Sequence, residues 1–297
     1  MKKKWVPIAL AAFVVLDIIL VFFAFRHTSA PASAGTPETT SSQRTEPGGG
    51  TSSEGATTGQ TTTQAAQTQT VSLVSMAGST VMRAESGVCS AEPNPVLAIS
   101  TDGGASFTNA AIPQHQILRV IARSPANLQY IGANESCEAS LYQSVDGGQT
   151  WSEGPADASW YLAPGEPSQN VVAPSGQVEA GCLARSISVL SPVSAFVACA
   201  DGGVRGTVDG GATWSQMGEP AGIVSVSFLN PSSAYALAVA ASCPAEIRRT
   251  TDGGATWNPI GCIPGGEPSS IDAVGQQVIA VVGGNVHLSS DGGVTWS

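Results

Sequence analysis

Beyond Lys4 the chain contains no lysine. The cations of residues 71–297 are seven arginines, set against eighteen Asp and Glu, a formal charge of −11 for that stretch. An acidic surface without lysine argues against nucleic-acid and anionic-lipid partners. Cysteines number six and none forms a Cys-x-x-Cys pair. The three histidines, His27, His115 and His287, are scattered. Neither pattern has metal-ligand spacing, so no metal or cofactor is expected. No Gly-x-Ser-x-Gly elbow accompanies His115, which therefore reads as a rim residue of the Pro113–Gln116 connection. The glycine pairs sit in hairpin turns and not between a strand and a helix, which excludes a phosphate-cradling loop.

One long apolar run is present, from Trp5 to Phe25, behind Lys2, Lys3 and Lys4. Its 21 residues, at about 1.5 Å each, reach across a bilayer core. The lysines hold the N-terminus inside, so residues 1–27 read as a single-pass signal-anchor with everything after it outside. A cleaved signal peptide ending at Ala32-Ser33-Ala34 is the alternative, although the run is long for one and stops well short of that site. Asp17 lies mid-span, where it costs about 2.5–3.5 kcal/mol on an insertion scale, offset by the Leu, Ile, Val and Phe around it. It either pairs with a partner helix or is simply tolerated. Residues 28–70 hold nothing more apolar than Ala and Pro, and Thr, Ser, Gly and Gln dominate. Such a segment cannot bury a core, and is expected to be a disordered stalk spanning about 35–40 Å on average.

Within residues 71–297 one phrase recurs. It reads Ser100-Thr-Asp102-Gly-Gly104-Ala-Ser106-Phe107, and returns around Asp146, Asp209, Asp252 and Asp291, each time closing on Trp. The aspartates are 44, 63, 43 and 39 residues apart. Asp-Gly between β-forming residues is a hairpin signal, and a period near 40 means repetition of one small sheet. The Asp and Ser/Thr side chains can satisfy the turn's own backbone, and the closing aromatic offers a large face for packing. A calcium loop would need carboxylates at alternate positions, which are missing.

The phrase resembles the Asp-box, or BNR repeat, of the β-propellers found in sialidases, some glycoside hydrolases, sortilin-type receptors and photosystem II assembly factors. The Phe107 ending is a mild departure. The resemblance implies an all-β propeller over 71–297, of five blades, with each box between the third and fourth strands, away from the ligand face. Inner strands are expected at Val71–Met76, Ile117–Ala122, Ser186–Leu190, Ile223–Phe228 and Ser270–Val274. The outer strand of the last blade is stunted at Ser297, unless Thr62–Thr70 supplies it and closes the ring.

Strand order then gathers all six cysteines, Cys89, Cys137, Cys182, Cys199, Cys243 and Cys262, on the face opposite the boxes. Outside the cytoplasm they suggest a disulfide framework. Fifteen pairings are possible; proximity of the expected segments favours Cys89–Cys137, Cys182–Cys199 and Cys243–Cys262. This is the face on which such propellers usually bind ligands. Residues 153–184 form a long insertion there, carrying Trp160 and Tyr161. Trp160 is the one Trp with neither a box nor a membrane-interface position, so the pair is a candidate protein or sugar contact. The alternative is that it pins the insertion to the rim. Arg119, Arg123 and Arg185 lie on or beside inner strands, placed to line the channel mouth and bind a carboxylate. Sialidases use an arginine cluster there, but their Arg-Ile-Pro motif is missing. Asp157, Asp201 and Asp272 are the aspartates outside the boxes, and Glu135, Glu138, Glu179 and Glu246 lie near the ligand face; nothing selects a two-carboxylate pair among them. The reading is a membrane-anchored, non-catalytic binder of an envelope protein or glycan. A glycoside hydrolase and an assembly factor for a membrane complex are the alternatives.

Overall fold

The computed structural model describes residues 71–91, 94–165 and 170–297. The expected anchor, the stalk and the closing strand Thr62–Thr70 lie outside the described residues. The described residues form an all-β propeller, but of six blades and not five. Blade 1 holds β1 (Ser72–Ala77), β2 (Thr80–Glu85), β3 (Val96–Ser100) and β4 (Thr108–Ala110). Blade 2 holds β5 (Gln116–Ala122), β6 (Leu128–Ala133), β7 (Ala139–Ser144) and β8 (Ser152–Pro155). Blade 3 has three strands, β9 (Tyr161–Leu162), β10 (Asn170–Ala173) and β11 (Gly176–Glu179). Blade 4 holds β12 (Ala184–Ser191), β13 (Ser194–Cys199), β14 (Val204–Thr207) and β15 (Ser215–Gln216). Blade 5 holds β16 (Ile223–Phe228), β17 (Ala234–Ala240), β18 (Cys243–Thr250) and β19 (Asn258–Ile263). Blade 6 has β20 (Pro268–Val274), β21 (Gln277–Val282) and β22 (Asn285–Ser289). Ser297 adds the first rung of a fourth strand there, its N–H donating to Leu288 O at 2.9 Å.

The sixth blade is the insertion. The 63-residue spacing holds one ordinary period and about 20 residues more, enough for three short strands. Val171 and Val172 favour the extended chain, and Pro174-Ser175 turns it into β11. The blade lacks the repeated phrase, so counting phrases undercounted blades. It is also built differently. The β9–β10 connection lies beside Gln116, whose Oε1 accepts from Gly165 N–H, and the β10–β11 turn lies beside Gly210 of the next blade. β9 therefore runs opposite to β5, β12 and the other inner strands.

The inner strands β1, β5, β9, β12, β16 and β20 each touch the next, and β20 touches β1. The ring is closed around a central channel. Each sheet is covered on both sides by its neighbours, so a central strand such as Ala234–Ala240 is a near-continuous apolar run. One rule seals the interfaces. The aromatic that closes each repeated turn packs into a cluster shared by its own blade and the preceding one: Trp151 lies with Leu97 and Ile99 and edge-on to Tyr130, Trp214 with Val171, Trp257 with Phe196 and edge-on to Phe228, Trp296 with Ile247. Phe107 of blade 1 packs on Val281 and Leu288 of blade 6, and so completes the circle. The turns must come close to do this. Gly211 sits at φ 90°, and a methyl there would lie 2.8 Å from Val178 Cγ2, so only glycine fits.

Candidate functional site

The repeated turn is a closed polar circuit. Thr207 Oγ1 donates to Asp209 Oδ1 at 2.8 Å and accepts from Gly211 N–H at 3.0 Å. Thr213 donates its N–H to Oδ1 at 3.0 Å and its hydroxyl to Oδ2 at 2.6 Å. Asp102, Asp146, Asp252 and Asp291 make the same set. Bonds from Thr213 first, and then Thr207, hold the Asp209 carboxyl down to about 2. Asp102 is held at about 2 by Ser106 and Ser100, and Asp252 at about 2 by Thr256 and Thr250. Thr150 and Thr295 lower Asp146 and Asp291 in the same way. Each turn also bonds to the first hairpin of its own blade, as Gly210 N–H does to Val193 O at 2.9 Å. That places all five on one face.

The cysteines occupy the other face and form three disulfides: Cys89–Cys137, Cys182–Cys199 and Cys243–Cys262, with Cα atoms 5.3, 5.8 and 6.0 Å apart. The first ties blade 1 to blade 2. The second ties the blade 3–4 connection to the end of β13, and the third joins β18 to β19. Val71, Val96, Leu183 and Val239 are exposed on this face.

Between the faces runs a central cavity of about 260 Å³. Its apolar lining includes Leu73, Ile121, Leu162, Ile187 and Val189. The polar lining is mostly serine, with Arg119, Arg185 and Asp272. Serine hydroxyls here accept backbone N–H groups from the next blade: Ser75 from Ala122, Ser186 from Val226, Ser225 from Ile271. Arg119 reaches deep into the channel and donates from Nη1 to Trp160 O at 2.9 Å. Burial, and then the charge of Arg123, push its guanidinium down to about 10, with Asp272 opposing, so it stays charged at neutral pH. Arg185 is exposed where β12 begins and has no hydrogen-bond or ion-pair partner among the described residues.

Two expectations need correction. The three arginines do not meet at one mouth. Arg123 is exposed at the first hairpin of blade 2, toward the turn face, with Nε bonded to Gln129 Oε1 at 2.7 Å, and it does not line the cavity. Nor do Trp160 and Tyr161 present an open contact surface, being 1% and 8% exposed. Trp160 donates Nε1–H to Pro192 O at 3.0 Å and meets Trp214 edge-on at 6.1 Å. Tyr161 packs with Leu118 and Ile131 of blade 2. It thus fills the place that a turn aromatic would take, because blade 3 has no such turn. The pair pins the insertion, which was the alternative reading.

The acidic residues are dispersed. Glu135, Glu138 and Glu179 are exposed, Glu246 pairs with Arg248 at 2.6 Å, and Asp201 Oδ1 accepts from Gly203 N–H at 2.9 Å within a turn. Sequence reading passed over Asp272 as one of three leftover aspartates. Its signal was the spacing Ser186-x-Ser188, Ser225-x-Ser227, Ser270-x-Asp272, repeated in three inner strands.

No family model matches this chain, and no curated protein does. Among solved structures it is similar to YCF48 from Cyanidioschyzon merolae, at 16% identity over 72% of this chain and 80% of that one, with a TM-score of 0.46. It is similar to a GH74 xyloglucanase from Xanthomonas campestris at 16% identity, over 74% of this chain and 36% of that one, TM-score 0.32. It is also similar to virginiamycin B lyase from Staphylococcus aureus at 12% identity, over 78% and 84% of the two chains, TM-score 0.46. Likeness at this level goes no further than the β-propeller fold.

Proposed function

We propose that this chain is a membrane-tethered, extracytoplasmic propeller of the Asp-box type. It binds a carboxylate-bearing envelope protein or glycan at the disulfide face, without transforming it. The observation that carries the reading is Arg119: a charged guanidinium deep in a channel, with a single hydrogen bond among the described residues. A half-buried cation whose remaining donors face the channel favours a planar anion that can take two of them at once. Arg185, unpartnered on the same lining, supplies a second cation nearer the disulfide face. Val71 and Leu183 give that face apolar contact area. The disulfides restrain the surrounding loops and lower the ordering cost of binding. The run Trp5–Phe25 behind three lysines supports the tether.

The test uses the full chain in its native membrane. Cross-linking followed by co-purification should capture a membrane or envelope partner. Arg119→Gln with Arg185→Gln should lose it while keeping wild-type melting. Retained capture by a folded double variant would overturn the site. A screen on aryl glycosides and sialosides should give no turnover; robust turnover abolished by one Glu or Asp substitution would replace the binding role with hydrolysis.

A further inference from the structure

The chain runs on from each blade into the next, except between blade 6 and blade 1. At the junctions of blades 4–5 and 5–6 the inner strands are cross-linked by serines two residues apart, and at blades 1–2 by Ser75 alone. Ser186 and Ser188 accept N–H bonds from Val226 at 3.2 Å and Phe228 at 2.8 Å. Ser225 and Ser227 accept from Ile271 at 3.2 Å and Ala273 at 3.1 Å. The same two-residue spacing continues in β20, but its second position is Asp272. The Asp272 Oδ2 atom accepts from Met76 N–H at 2.9 Å, in the register a serine would use. It also accepts from Ser75 Oγ at 3.1 Å, and Oδ1 accepts from Ser227 Oγ at 3.0 Å.

We infer that Asp272 is the clasp of the ring, a carboxylate standing in for chain continuity at the junction of blades 6 and 1. One side chain on β20 holds β1 and β16 together. Through Ser75, which accepts from Ala122 N–H at 3.1 Å, the same network reaches blade 2. A hydroxyl can accept two bonds, whereas the Asp272 carboxylate accepts three, from Ser75, Met76 and Ser227. In its ionised form these bonds are charge-assisted and roughly twice as strong as neutral ones. Desolvation raises the Asp272 carboxyl, and the bonds from Met76 and Ser227 pull against it. Among the described residues it makes no close ion pair, and acts on Arg119 only through the longer-range attraction noted above. Supporting the junction, Ser72 N–H donates to Ser269 Oγ at 3.1 Å, and Ser269 Oγ donates to Ser72 O at 3.3 Å.

Hydrogen–deuterium exchange on the full chain tests this. Asp272→Ala should speed exchange of the β1 amides around Met76 by about 10–100-fold, the worth of a bond to a charged acceptor. The junction of β12 with β16, read at Val226 and Phe228, should exchange as in the wild type. Asp272→Ser, which restores the serine pattern of the blade 4–5 and 5–6 junctions, should fall between. Ser188→Ala is the control, with a smaller effect because the chain itself joins blades 4 and 5. Equal acceleration at every junction would make Asp272 a general stabiliser. Wild-type exchange in the serine variant would remove any need for the carboxylate. Either result overturns the inference. If the alanine variant does not fold, Asp272→Asn and Asp272→Ser carry the same comparison.

Discussion

Asp209 is exposed, yet both its carboxylate oxygens are taken by the turn around it. With the folded carboxyl at about 2 and the free one near about 3.9, the stabilisation is complete above about pH 4 and is lost as pH falls through about 2. Asp102 and Asp252 titrate in the same window. The melting temperature should therefore fall steeply between about pH 4 and pH 2. Asp209→Asn should melt lower at neutral pH by on the order of 3 °C, with a shallower acid dependence and partner capture intact. Wild-type melting with lost capture would move Asp209 from scaffold to site. Trp160→Ala should cost about 3–5 kcal/mol in urea unfolding, since the ring is buried against Trp214. The turn aspartates were legible because all their partners lie within eight residues. Trp160 was not, because Pro192 and Trp214 are distant in sequence. Asp272 was less so: its role depends on register with Met76, 196 residues away.

At the scale of the element, alternation marked most inner strands, the Asp-box resemblance implied their order and faces, and the cysteine pairing followed from the faces. Blade 3 escaped for a physical reason. Its strands run two to four residues, too short for a period to show, and its interface aromatic comes from β9 instead of a turn. The disulfides give a direct check. Protein from the oxidising side of the membrane, alkylated without reduction, should show no free thiol by mass spectrometry. Several alkylated cysteines from folded protein would contradict both the framework and the outward topology. Replacing Cys89 and Cys137 together by Ser should cost about 2–4 kcal/mol in chemical unfolding. The loosening should centre on the junction of blades 1 and 2, the one those residues span.

For the whole molecule, charge sets how a partner arrives. The described domain is acidic by sequence, and its channel arginines lie inside that field. On the proposed function, an anionic partner would be repelled at long range and held at short range. Added salt should therefore speed association while also speeding dissociation, because exposed charges are screened beyond about 8–10 Å. Arg185→Gln should flatten the salt dependence of dissociation, while Arg119→Gln should raise the off-rate at every salt concentration. Stopped-flow or surface-based kinetics with the captured partner would separate the two. Equal salt responses in both variants would mean that neither arginine meets the partner.

The aromatic of each turn sits in the seam between its own blade and the one before it. A blade is thus a unit with a plug at one side and a socket at the other, written in roughly forty codons. Duplicating such a unit delivers a new plug for the old socket and a new socket for the next plug, without redesign of either neighbour. Deleting one leaves a matching pair. Blade 3 sets the minimum: a hairpin, a third strand and one tyrosine suffice to keep the circle sealed. Ring size in such a chain is then open to change by copying alone, while a residue like Asp272, needed once per circle, is the part that copying cannot supply.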